Sequence, residues 1–257
     1  FISDTTLYSL LAFNSNQNVT NIYLLAGSVV PYPNVTNAEV NDSGIASIDD
    51  NGFTTSSSRY ASNDWVAWCW KAVDHDDNLP QINTEGTIDS VVSVNAAAGF
   101  SIVKYTGTGS AGTIGHGLTA KCDLVLIKTL DSTNNWIAQI PQLGDNARML
   151  LDSASAKSDD STTAQAGNAI VIGIGADNSV AKSGDEFIAY CFHSVTDYQK
   201  VGFYNGSSST VTITTGFQPR FLIIKRSNGN NDWIMYDTVR SGGTSMDDYL
   251  IPNSIII

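Results

Sequence analysis

The densest patch of ligand-type side chains in this sequence is Asp74-His75-Asp76-Asp77-Asn78. Alternating carboxylates and an amide supply the hard oxygen donors that Ca²⁺ takes, so Asp74, Asp76 and Asp77 are the metal candidates. The run lacks the central Gly and the closing bidentate Glu of a helix–loop–helix calcium loop. It also precedes Leu79-Pro80 at the edge of a repeated unit, where a solvated linker is the better reading. Glycosidic bond hydrolysis needs two carboxyl groups flanking the bond, one of them held protonated. The 25 acidic residues are nearly all Asp, the Glu being Glu39, Glu85 and Glu186, and no Glu-x-Asp-x-x-Glu strand run occurs. His116 lies between two glycines, the mark of a tight turn, and His193 follows an apolar run. Neither has a Cys or His at metal-ligand spacing. Cys69, Cys122 and Cys191 cannot form an even disulfide framework and read as thiols buried in strands. No nucleophile elbow, phosphate loop or dinucleotide fingerprint is present. The lone glycine pattern Gly173-Ile174-Gly175-Ala176-Asp177 has no helix expected after it. These residues predict no enzyme and no cofactor.

The elements that would position such groups are strands. The chain has 257 residues, 42% of them apolar and only 15% charged, which is enough to bury one large core or two medium ones. Asp, Asn, Ser, Thr and Gly dominate over Glu, Lys and Arg, which starves helices and feeds turns and strands. Short apolar runs such as Gly99–Tyr105, Leu124–Ile127, Phe187–Phe192, Val211–Ile213 and Phe221–Ile224 are set off by turn strings such as Asp50-Asn51-Gly52 and Asn228-Gly229-Asn230. The expected fold is all-β, built of antiparallel β-sandwich modules in tandem. Both faces of Trp65-Val66-Ala67-Trp68-Cys69-Trp70 are apolar, which predicts a central strand covered on each side; an exposed tryptophan ladder for sugar stacking is the alternative. The net charge of −12 excludes a basic nucleic-acid-binding face and attraction to anionic lipid. No apolar run is long enough to insert into a membrane as a helix.

The sequence repeats itself. Phe187-Ile188-Ala189-Tyr190-Cys191-Phe192 copies Trp65–Trp70 at an offset of 122 (Trp65 to Phe187). Phe221-Leu222-Ile223-Ile224-Lys225 copies Leu124-Val125-Leu126-Ile127-Lys128 at 97 (Leu124 to Phe221), and Trp233-Ile234 copies Trp136-Ile137 at the same offset. Tyr204-Asn205-Gly206 copies Tyr105-Thr106-Gly107 at 99 (Tyr105 to Tyr204). The opening Phe1–Thr5 reads as a worn copy of the Trp233 strand. The chain then divides into the back half of a module (1–78), a complete module (79–197) and the front half of another (198–257). Either it is part of a longer array, or 198–257 pairs with 1–78.

The strings Gly99–Gly109 leading to Thr113–Leu118, Phe187–Val195 leading to Tyr198–Gly202, Thr215–Arg226 and Trp233–Arg240 resemble the repeated β-module of tail-fibre and virion structural proteins of tailed phages, common in marine phages and cyanophages. The resemblance is clearest over 99–240 and weakest over 6–45. It implies a lectin-like or jelly-roll sandwich, extracellular on a virion, and a homotrimer among other virion proteins. It carries no catalytic residue set. The expected function is a tail-fibre adhesin segment that recognises host-surface glycan without catalysis. A purely structural capsid-surface, collar or shaft role is the alternative, and a polysaccharide depolymerase is a third. Tyr60, Trp136, Tyr198 and Tyr204, each near a polar turn, are the candidate stacking residues.

Overall fold

The computed structural model describes residues 9–14, 23–24, 29–30, 32–41, 44–49, 52–56, 65–72, 81–240 and 248–254. Asp74, Asp76, Asp77 and Tyr60, and the opening string Phe1–Thr5, lie outside them. The strands in chain order are β1 (Ser9–Asn14), β2 (Tyr23–Leu24), β3 (Val29–Val30), β4 (Val40–Asn41), β5 (Ile45–Asp49), β6 (Gly52–Thr55) and β7 (Trp65–Trp70). Then come β8 (Gln81–Asn83), β9 (Ser90–Asn95), β10 (Phe100–Thr106), β11 (Gly112–Gly115), β12 (Leu124–Thr129), β13 (Ile137–Gln139) and β14 (Ala147–Leu150). The rest are β15 (Ser158–Asp159), β16 (Ala164–Gln165), β17 (Val171–Ile174), β18 (Glu186–Phe192), β19 (Phe221–Ile224) and β20 (Ile234–Asp237). The strand ladders are antiparallel, so the all-β antiparallel sandwich expected from composition is the fold.

The main sheet has eight strands in the order β15-β14-β13-β12-β18-β10-β9-β8. Its centre is β18, flanked by β12 and β10. Alternation along β18 sends Phe187, Ala189 and Cys191 to one face and Ile188, Tyr190 and Phe192 to the other. The first face joins Val103, Tyr105, Val125 and Ile127 in a core closed by the small sheet β11-β17-β16, with Ile114, Ile172 and Ile174. Tyr105 stacks on Phe187 with centroids 5.1 Å apart and donates its hydroxyl to the Val180 carbonyl at 2.7 Å. Burying Phe187 fully contributes about 1.5–3 kcal/mol. The second face gathers Phe100, Ile102, Trp136, Ala138, Ile188 and Tyr190, with Trp233 and Trp70 against them. The edge strands β15 and β8 are largely exposed and polar (Ser158-Asp159; Gln81 and Asn83), which blunts edge-to-edge pairing.

Three sequence expectations are corrected. The lone glycine string is followed by a helix of one turn, α1 (Asn178–Ala181), because Asp177 accepts from the Ser179 N–H as its N-cap. Strand β7 is covered on one face only. Trp68 and Trp70 are half-buried against Phe221, at 5.2 and 5.9 Å, whereas Ala67 and Cys69 are exposed, so Cys69 is not a buried thiol. Alternation alone puts these small side chains on the outer face. Val211–Ile213 forms no strand, and both end residues are exposed. Its counterpart β11 pairs with β17, and no such partner lies beside Val211–Ile213 among the described residues.

The repeats share register as well as sequence. The pairs Leu222↔Tyr236, Ile223↔Met235 and Ile224↔Ile234 of β19–β20 copy Val125↔Gln139, Leu126↔Ala138 and Ile127↔Ile137 of β12–β13. Ser9↔Trp70 of β1–β7 copies Leu124↔Phe192 of β12–β18. Val29↔Asn41 and Val30↔Val40 of β3–β4 copy Ala147↔Asp159 and Arg148↔Ser158 of β14–β15 at an offset of 118. Strands β1–β7 thus correspond in order to β12–β18. The counterpart of the Trp136-Ile137 strand is therefore β2, which pairs β1 as β13 pairs β12, and not the Phe1–Thr5 string. The bridge Met235↔Leu250 likewise copies Ala138↔Met149. Residues before 79, from 79 to 197 and after 197 are called modules 1, 2 and 3 below.

Candidate functional site

The aromatics chosen from sequence are placed very differently. Tyr198 is 55% exposed at the tip of a turn in which Asp197 adopts a positive φ of 61°. That turn is pinned from below. The Gln199 amide donates to the Gly99 and His193 carbonyls, and Ser194 donates its hydroxyl to Asp123. Tyr204 is 49% exposed, and beside it Phe203, which sequence reasoning passed over, is 65% exposed. Val211 and Ile213 extend the same exposed stretch. Together these residues form an aromatic and apolar segment (198–213) with Asn205, Ser207, Ser208, Ser209 and Thr210 between them. Exposed rings beside amide and hydroxyl groups can stack on and hydrogen-bond a sugar.

Trp136 is corrected outright: it is fully buried and is no stacking platform. Its indole N–H donates to the Tyr32 carbonyl at 2.9 Å, its backbone N–H donates to Asp152 at 3.2 Å, and its ring lies 6.3 Å from that of Tyr190. A polar turn nearby in sequence misled the expectation, because the ring stacks in the core on Tyr190 and its indole N–H bonds module 1.

That contact is one of a set. Trp136 reaches the Tyr32 carbonyl, Lys128 the Thr36 carbonyl at 3.2 Å, and the Glu39 N–H donates to the Leu130 carbonyl at 2.9 Å. Between modules 2 and 3, Trp233 reaches the Leu150 carbonyl at 2.8 Å, Lys225 the Ala154 carbonyl at 3.3 Å, and the Lys157 N–H donates to the Ser227 carbonyl at 2.7 Å. Each group in the second set is the repeat partner of its equivalent in the first, by 97 on the Trp and Lys side and by 118 on the turn side (Trp136 to Trp233; Tyr32 to Leu150). The two junctions are one interface used twice. Burial lowers the Lys128 ammonium to about 8, opposed by Asp152, and lowers Lys225 in the same direction.

Several of the described groups that could carry catalysis are engaged in other bonds. Ser132 and Lys182 stand 2.6 Å apart, the spacing of a hydroxyl nucleophile and an amine base. Both also bond Asp185, whose pKa is held low by these hydrogen bonds against the opposing effect of burial, so the amine is ion-paired and the serine proton faces a weak base. Glu39 is raised by burial first and by Asp131 next. Its neighbours are committed: Asp131 accepts from the Glu186 N–H, and Glu186 pairs with Lys104 at 2.9 Å. Cys122 and Cys191 are buried, and a hydrogen bond between them, then burial, raises the Cys122 thiol. His116 is fully buried and accepts from the Leu118 N–H, closing the glycine-flanked turn. Among the described residues no group of three or more His, Cys, Asp and Glu could hold a metal, and no helix is long and apolar enough to cross a membrane.

An all-β chain with a docking interface repeated between modules and an exposed aromatic segment is, by class, a modular antiparallel β-sandwich protein. It belongs to the family described as a domain of unknown function (DUF7483), whose model matches residues 15–256. No curated protein and no solved structure matches the chain.

Proposed function

We propose that the chain is a segment of a tailed-phage virion structural protein, a tail-fibre adhesin that holds host-surface glycan by non-covalent contact. The observation that carries the adhesin reading is the segment 198–213. Tyr198, Phe203 and Tyr204 present exposed rings, and the turn that carries Tyr198 is fixed by Gln199 and Ser194. Exposed aromatic surface on a rigid support is the usual form of a binding patch. The acidic, lysine-poor composition fits an external part and not one that packs nucleic acid. Neighbouring virion proteins and a homotrimeric assembly complete the reading. Binding needs no catalytic step, and Ser132 and Glu186 are engaged in the bonds described above.

The repeated junction favours a second reading, a shaft or collar protein whose work is to extend a rigid array. A glycan array probed with the chain separates the two. The adhesin reading expects binding that falls by tenfold or more in Tyr198→Ala and Tyr204→Ala with the melting temperature unchanged. No glycan retained, together with immunogold label along a collar or shaft instead of at distal fibres, overturns it in favour of the structural role.

A further inference from the structure

We infer that the turn at Ile251–Ser254 is a docking face for another module of this repeat. Its occupant is a module carrying the Lys-x7-Trp hairpin, joined to module 3 as module 3 is joined to module 2. The same turn occurs three times. The Val35 N–H donates to the Tyr32 carbonyl, the Ser153 N–H to the Leu150 carbonyl, and the Ser254 N–H to the Ile251 carbonyl, at 3.4, 3.4 and 3.2 Å. In the first two copies the carbonyl's other lone pair takes the indole N–H of the next module, from Trp136 and Trp233. In the third, Ile251 accepts from Ser254 alone among the described residues.

The polar pair behind the turn is also repeated. Asn135 donates to Asp152, which accepts the Trp136 N–H; Asn253 donates to Asp232 and accepts the Trp233 N–H. The amide and carboxylate have exchanged places, yet each turn is held in the same position under its tryptophan. Leu250 pairs with Met235 as Met149 pairs with Ala138, so the third turn leaves its sheet at the corresponding point. The Ile251 turn is therefore built like the two that are occupied.

The occupant is not a second copy of the chain. Both Lys–Trp hairpins in the described residues are engaged within the chain. Module 1 has no such pair. Phe13, opposite Val66, stands at the register position of Lys128, opposite Ile188. Ile22 precedes Tyr23 where Trp136 precedes Ile137. The interface is thus directional, with the donor hairpin following its acceptor turn in sequence.

The test is the full chain extended after Asn253 by a second copy of residues 153–253. This places a further Trp233 where it can reach the Ile251 carbonyl. The readouts are acrylamide quenching of the added tryptophan, with the other five Trp replaced by Phe one at a time for assignment, and hydrogen exchange of its indole N–H. Quenching several-fold weaker than in the unfolded chain, with a protected indole N–H, is the expected result. A folded extension whose added tryptophan is freely quenched overturns the proposal. So does concentration-dependent self-association of the unextended chain in sedimentation that protects the Ile251 turn from exchange, since that makes a second copy the occupant. If the extension does not fold, the decision passes to the unextended chain carrying Leu150→Ile, Leu151→Pro, Asp152→Asn and Ala154→Ile, which writes the third turn into the second junction. Trp233 should stay shielded there; a several-fold rise in its quenching means the Ile251 turn cannot dock a tryptophan and ends the proposal.

Discussion

Tyr105 and Tyr204 occupy matching strings 99 residues apart, yet one is 3% exposed and the other 49%. Ile114 and Ile213 differ in the same way, fully buried against 48% exposed. Between modules 2 and 3 the back portions agree to the residue in register, while the front portions share only sequence. In module 2 the Tyr105 strand lies between β9 and β18, and the Ile114 strand pairs β17. The corresponding stretch of module 3 has no ladder among the described residues. Strand propensity is no lower at Val211-Thr212-Ile213 than at Gly112-Thr113-Ile114, so the partner strand decides whether these residues fold into a sheet.

The largest effect that can break this comparison is a cavity. Ile114→Ala is expected to destabilise the chain by about 2–5 kcal/mol, because its side chain is fully enclosed in the first core. Ile213→Ala should change stability by no more than about 0.5 kcal/mol. Urea unfolding of both variants measures the pair. Equal losses would mean that the module 3 stretch is packed in solution as its counterpart is.

The junctions make the opposite claim, that two sites are alike. Trp136→Phe and Trp233→Phe each remove one indole donor from a buried carbonyl, and each should cost about 1–2 kcal/mol. Thermal melts with matched buffers compare them. Values differing by more than about 1 kcal/mol would show that the shared geometry hides unequal interfaces.

A smaller contrast comes from one hydroxyl. Tyr105→Phe leaves the Val180 carbonyl without its donor, and about 1 kcal/mol should be lost. Tyr204→Phe removes a hydroxyl from an exposed ring and should leave the unfolding midpoint in place, though it weakens any glycan contact that uses that group.

Much of the architecture was legible in the residues. The sequence offsets of 122 and 97 are the offsets at which β7 repeats β18 and β19–β20 repeats β12–β13, because aromatic and β-branched residues at period two mark strands strongly. The two-residue strands β3 and β4 escaped notice, since a pair of valines among turn residues carries too little pattern. The candidate site was half legible. Tyr198 and Tyr204 are exposed as expected, Phe203 was overlooked next to them, and Trp136 was misplaced. A tryptophan that docks on a neighbouring module has the same local sequence as one that faces solvent. The acceptor turns were invisible for a firmer reason: their bonding groups are backbone carbonyls, and Tyr32, Leu150 and Ile251 share no side chain that announces the role.

The subtlest way to sharpen the comparison is pH, because the two junction lysines differ in burial. Lys128 is fully buried, and its ammonium is lowered from 10.5 to about 8 by desolvation; Lys225 is shifted the same way from a half-buried position. A base with a depressed folded pKa binds fewer protons folded than unfolded between the two values, so stability rises with pH across that window. Below about 8 both states are protonated and the contribution is flat. The expected outcome is that the difference in urea midpoint between the native chain and Lys128→Met shifts in favour of the native chain as pH goes from about 8 to 10.5. Lys225→Met should show the same sign with a smaller change. A flat difference for Lys128→Met would mean that the ammonium keeps its proton in the fold, its bonds to the Thr36 and Ser132 carbonyls outweighing the cost of burial.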